Sequence, residues 1–136
     1  MMGKLKTQGL DKFADDLRRA GADLPQVQSD MLDAGAQATV EAWKDGIERA
    51  GHKDTGDMQK SVRASKRSRG TERAVAPQGK DRKDVRNAEK AFILHYGSSS
   101  IVGDRFVDKI EEKADEAAAQ RMDAVLTAHL RQQGLL

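Results

Sequence analysis

AFILHYGSSSIVGDRFVDKI, residues 91 to 110, is the stretch whose reading decides the fold. Ala91-Phe92-Ile93-Leu94-His95-Tyr96 is an apolar and aromatic run halted by Gly97, the pattern of a strand ended by a breaker. Ser98-Ser99-Ser100 then leads to Gly103-Asp104, where Asp104 is placed to accept hydrogen bonds from the first free N–H groups of a helix starting at Arg105. Phe106, Val107 and Ile110 give that helix its apolar face. The expectation is a buried strand, a structural corner built on Tyr96, Gly97, Gly103, Asp104 and Phe106, and a capped helix running to about Gln132. Two of the three phenylalanines and the only tyrosine lie in these twenty residues.

Working back from this stretch, a first helix is expected from about Gln8 to Ala20, with Leu10, Phe13, Ala14 and Leu17 at helical spacing. Asp23-Leu24-Pro25 restarts the chain as a second helix that reaches Ala50 and stops at Gly51. Its apolar residues form two lines. Leu24, Val27, Met31, Gly35, Ala38 and Ala42 make one; Leu32, Ala36, Val40, Trp43 and Ile47 make the other, so the helix should contact two neighbours. His52 to Asp57 reads as a turn, Gln59 to Arg67 as a half-exposed strand, Ser68-Arg69-Gly70 as a turn, and Thr71 to Ala76 as the returning strand before Pro77. The segment 77–89 is expected to be a mobile loop and residues 1–7 to be flexible. The fold class is α+β: two N-terminal helices, a small mainly antiparallel sheet of three to four strands, and a long C-terminal helix packed on it.

A chain of 136 residues fits one domain burying roughly two thirds of its unfolded surface. Aromatics are 4% and charged residues 34% of the chain, so the core must be thin and built from small aliphatics, which favours burial against partner chains. No apolar stretch is long enough to span a membrane, and MMGKLKTQGLDKF lacks the apolar run of a signal peptide, so cytoplasmic synthesis is expected. With no cysteine, disulfides and thiolate metal sites are excluded.

The net charge of +2 hides a division along the chain. Residues 60–86 hold 10 basic and 3 acidic side chains, against 8 and 11 before them and 6 and 8 after. Arg63, Lys66, Arg67, Arg69, Arg73, Lys80, Arg82, Lys83 and Arg86 are therefore candidate DNA-facing or partner-facing residues, together with Lys60. No aromatic is interleaved to stack on bases, so any nucleic-acid contact would be non-specific. The bland account of the same residues is a solvated hairpin and loop.

Catalytic patterns are sparse. Asp54-Thr55-Gly56 spells an aspartic-protease tripeptide, but once only and between His52-Lys53 and Asp57, a context that suits a turn. Gly97-Ser98-Ser99-Ser100-Ile101 lacks the second glycine of a nucleophile elbow, and no Gly-Lys-Ser/Thr follows to make a phosphate loop. His52, His95 and His129 are far apart in sequence and form no metal-ligand pattern. A hydrolase using His95 and the nearby serines is the weakest of the function classes weighed. The expectation is no enzyme, no cofactor and no metal.

Thr55-Gly56-Asp57-Met58-Gln59-Lys60-Ser61-Val62, then Ala91 to Ser98, then Gly103-Asp104-Arg105-Phe106-Val107 resemble segments of a known family. It is the minor tail component family of long-tailed bacteriophages, whose members are called tail completion, neck or head-tail joining proteins. In that family a Thr-Gly-x-Leu-x-x-Ser-Ile segment opens the first strand, a later strand ends in an aromatic-Gly-Thr/Ser corner, and an Arg/Pro-Phe pair starts the C-terminal helix. Met58, Ser98 and Arg105 depart from the family's Leu, Thr and Pro, and His95 stands where many members carry an acidic residue. The resemblance implies a non-catalytic virion structural protein in the neck or tail. It implies a homo-oligomeric ring of six through which double-stranded DNA passes, contacting connector, tail terminator or tail tube proteins. The alternative from another class is a small non-specific nucleic-acid-binding module using residues 60–86.

Overall fold

Asp23 and Pro25 set where the first long helix begins. The computed structural model describes residues 12, 15, 16, 18, 19, 21, 23–67 and 72–134, with the backbone alone at 66 and 67. Helix α1 spans Leu24–Arg49; the Asp23 carboxylate accepts from the Gln26 N–H at 3.2 Å, and proline occupies the first turn, where a missing N–H costs nothing. Gly51, at φ +77°, lets the chain leave the helix beyond Ala50. These limits match those read from the sequence. The helix expected at Gln8 to Ala20 and the flexible start expected at 1–7 fall largely or wholly outside the described residues.

A single helical turn, α2 (Asp57–Lys60), occupies the place where the alternation suggested that the first strand begins. Strand β1 (Val62–Arg67) then pairs antiparallel with β2 (Glu72–Pro77), in a register running from Val62 opposite Pro77 to Arg67 opposite Glu72. This hairpin is the whole sheet among the described residues. In place of the expected three to four strands, the described residues form two.

The missing strand is the one expected at Ala91 to Tyr96. Those residues belong instead to helix α3, Asn87–Tyr96. Burial follows the helical period: Asn87, Ala91 and His95 point inward, while Phe92 and Tyr96 are exposed. In a strand, neighbours four apart share a face with those two apart, so Ala91, Ile93 and His95 would be buried together. Ile93 is only half-buried here.

Helix α4 (Phe106–Gln132) closes the chain and runs antiparallel along α1. Opposite positions fix the direction: Gly46 lies against Ile110, Gly35 against Met122, and Asp30 against His129. Helix α1 also meets the hairpin, so it contacts two neighbours as expected, but both of its apolar lines reach α4, through Gly35 against Met122 and through Trp43 against Phe106. The core gathers where the elements converge. Val40, Ile47, Met58, Val62, Ala91, Phe106 and Ile110 are buried together, with Trp43, Val75, Leu94 and Val107 packed around them. Trp43 meets the Phe106 ring edge-on at 6.5 Å between centroids. The architecture is α+β: a long helix, a two-stranded hairpin, a short helix and a second long helix.

Candidate interaction surface

The corner between α3 and α4 is built from backbone packed on backbone. Gly97 has φ +92°, a conformation closed to side chains, and a Cβ on it would lie 2.7 Å from the Gly103 nitrogen. A Cβ on Gly103 would collide with the Tyr96 carbonyl carbon. Gly97 and Val102 form an antiparallel bridge, closed by the Ser98 N–H donating to the Ile101 carbonyl at 2.8 Å. The returning chain then caps α3: the Asp104 and Arg105 N–H groups donate to the Leu94 and His95 carbonyls.

The start of α4 is capped by two side chains. Asp104 accepts from the Phe106 N–H at 3.1 Å, as the sequence suggested, although the helix begins at Phe106 and the residue at its cap is Arg105, in left-handed conformation. The second cap is His95, whose Nδ1 accepts from the Val107 N–H at 3.2 Å. This places the ring proton on Nε2, 3.8 Å from the Asp108 carboxylate. Expected as a strand histidine, His95 is instead a helix cap, and its Nδ1 is occupied. His52 pairs with Asp104 at 2.6 Å and lies edge-on to Phe106, while His129 pairs with Asp30 at 3.0 Å. Each histidine thus ties an element to one end of α4, and no cluster of histidine and carboxylate groups fit for a metal occurs among the described residues.

Outside this corner lies an uncovered apolar surface. Phe92 and Tyr96 are 62% and 59% exposed and stack on each other at 4.7 Å between centroids; Val102 is 94% exposed. The Arg105 guanidinium sits 5.3 Å above the Tyr96 ring. A strand would have placed Phe92 and Tyr96 on one face too, but the helix is what turns that face to solvent.

The basic segment divides into fixed and free members. Arg73 is a correction: its side chain is 6% exposed and donates to Asp33 of α1 at 3.1 Å, so it anchors the hairpin and does not face outward. Arg69 and the side chains of Lys66 and Arg67 lie outside the described residues. Arg63, Lys80, Lys83 and Arg86 are exposed, with Lys80 beside Asp84 at 3.2 Å.

Residues 77–89 have fixed partners within the chain. Lys80 bridges Arg86, and the Asp81 carboxylate accepts from the N–H groups of Lys83 and Val85 and from Lys90 Nζ. Asn87 donates to the carbonyls of Gly79 and Gln78. Asp57 holds Arg82 through two guanidinium bonds of 2.8 Å and the backbone N–H at 3.1 Å. The Arg82 guanidinium and N–H keep the Asp57 carboxyl well below the usual carboxylate range, and Asp57 in turn raises Arg82. Lys90, with the Val85 N–H, likewise lowers Asp81. Where the sequence suggested a mobile loop, carboxylates of the same chain, Asp57 on α2 and Asp81 and Asp84 within the segment, hold its basic and amide groups.

The Asp54-Thr55-Gly56 tripeptide is the turn before α2, closed by the Gly56 N–H donating to the Lys53 carbonyl. No family model, curated protein or solved structure matches the chain. Among the described residues no helix is long and apolar enough to cross a membrane. Among the described residues the arrangement leaves two exposed surfaces, one aromatic at the corner and one carrying Arg63 and the basic residues of the 80–86 turn.

Proposed function

We propose that the chain is a virion structural protein of a tailed bacteriophage, acting in head-tail joining or tail completion as part of a ring that DNA passes through. The observation that carries this reading is the corner itself. Its glycines, its helix caps and Phe106 are spent on holding two helices together, and the aromatic surface outside it is left open to solvent, where a neighbour could dock. Side chains chosen to pack and to dock suit an assembly role. In such a ring the exposed Arg63, Lys80, Lys83 and Arg86 would face DNA or an acidic partner, and the contacts would be with connector, tail terminator or tail tube proteins. The ring would number six. A place in the neck or tail is what the sequence resemblance implies.

The test is to purify particles from the host that carries this gene, find the chain in them by mass spectrometry, and locate it by electron microscopy. Density at the neck or tail end, and portal, capsid and tail-tube genes alongside its own, are expected. Particles lacking the chain, or a gene set among metabolic enzymes, would overturn the reading. The exposed basic residues favour one second reading, a non-specific nucleic-acid-binding module. Such a module would bind duplex DNA as an isolated protein and lose affinity steeply with salt, whereas an assembly protein binds DNA weakly on its own.

A further inference from the structure

We propose that two copies of this chain pair in solution through the outer face of α3, about a two-fold axis that sets Phe92 and Tyr96 of one copy against those of the other. Phe92 and Tyr96 lie one turn apart on that face, and Val102, held opposite Gly97, extends the surface past the helix end. Together they expose on the order of 400 Å² of apolar side chain, within the range of the largest patch on a typical monomer, which is often functional. With its polar margin the face covers roughly 600 Å² per copy, enough for a weak specific pair.

Two observations choose the occupant. Among the described residues every large exposed hydrophobic falls between Val85 and Val102. Among the described residues a copy therefore offers no second surface of large exposed hydrophobics, and a face that meets itself sets apolar against apolar. The charges at its two ends then match. Glu89 lies exposed one turn before Phe92, while Arg105 sits over Tyr96 at the opposite end. Antiparallel apposition of two α3 helices brings Glu89 of each copy to Arg105 of the other; parallel apposition would bring like charges together. An isologous pair closes at two copies, with each contact made twice. The inference does not rest on the phage reading, since it concerns the free chain.

Sedimentation velocity on the full chain from about 1 to 500 µM provides the test. A monomer–dimer equilibrium with a Kd on the order of 10–100 µM is expected, and Phe92→Asp should leave a monomer with an unchanged circular-dichroism spectrum. Glu89→Arg and Arg105→Glu should each weaken pairing about tenfold, because each breaks two symmetry-related ion pairs. Combined in one chain they should restore it to within about threefold of the original. The charge exchange keeps the test decisive if Phe92→Asp misfolds. A wild-type chain that stays monomeric throughout, a dimer or larger ring that survives Phe92→Asp, or a combined variant no better than its parents would overturn the proposal.

Discussion

His95 shows how one side chain joins two helices. It is buried at the last turn of α3, and its Nδ1 takes the Val107 N–H of α4, a donor no carbonyl reaches. His95→Ala removes the acceptor and leaves that N–H partly buried, which should cost about 1–3 kcal/mol of unfolding free energy. His95→Asn places an amide oxygen close to where Nδ1 stands, so urea denaturation should show it recovering a large part of the loss. A variant pair with equal losses would mean that His95 acts by packing alone. Gly103 is a stricter case. Any Cβ there meets the Tyr96 backbone, which cannot yield as a side chain can, so Gly103→Ala should unfold the corner or cost more than about 3 kcal/mol. Asp104 was legible as a cap from its place before Arg105 and Phe106, although the helix starts one residue later than that reading put it. His95 was not, because a capping histidine twelve residues from its N–H has no local signal.

Between residues lies the scale of the element, where the sequence both succeeded and failed. Asp23, Pro25 and Gly51 mark the ends of α1 by local chemistry, and the hairpin follows from alternation around Val62 and a turn before Thr71; such signals do not depend on the rest of the chain. AFILHY is different. A short apolar run fits strand and helix alike, and Arg86, at the start of α3, gives no side-chain cap to announce it. Ala88-Glu89-Lys90, just ahead of the run, are good helix formers and were the available clue. The 77–89 turn was illegible for another reason: Asp57, which fixes Arg82, is 25 residues away. Asp57 and Asp81 both titrate lower when folded. Their contribution is complete above the ordinary carboxyl range near about 4 and drains as pH falls through the depressed folded values. Amide exchange, corrected for intrinsic rates, should therefore keep the Arg82 and Val85 N–H groups protected at pH 5 and lose both in stronger acid. Asp57→Asn should unprotect Arg82 more than Val85, and Asp81→Asn the reverse. Equal loss at both amides in each variant would show that the turn opens as one piece.

For the molecule as a whole, the decisive contact is the antiparallel pair of α1 and α4, which spans the chain and presses on the core at one end. The pair is closed by glycines on α1, and the two behave differently. Glycine within a helix costs about 1 kcal/mol relative to alanine, so each position gives up helix stability for closeness. At Gly35 an added Cβ would meet the Met122 sulfur at 2.9 Å, near the end of a flexible side chain that can turn aside. Gly35→Ala should be neutral or stabilising by up to about 1 kcal/mol. At Gly46 the added Cβ would overlap Ile110 near its branch point, and Ile110 is only 1% exposed, with no room to move. Overpacking there costs about 1–3 kcal/mol, which outweighs the propensity gain, so Gly46→Ala should lower the urea midpoint. Ile110→Ala alone leaves a cavity and costs about 2–5 kcal/mol. In the double variant the new methyl enters the space that Ile110 vacates. The double-mutant cycle should therefore show a favourable coupling of at least about 1 kcal/mol between positions 46 and 110. Strict additivity would mean that the helices separate to admit the methyl group, and the interhelical distance, not Ile110 itself, would then be what Gly46 protects.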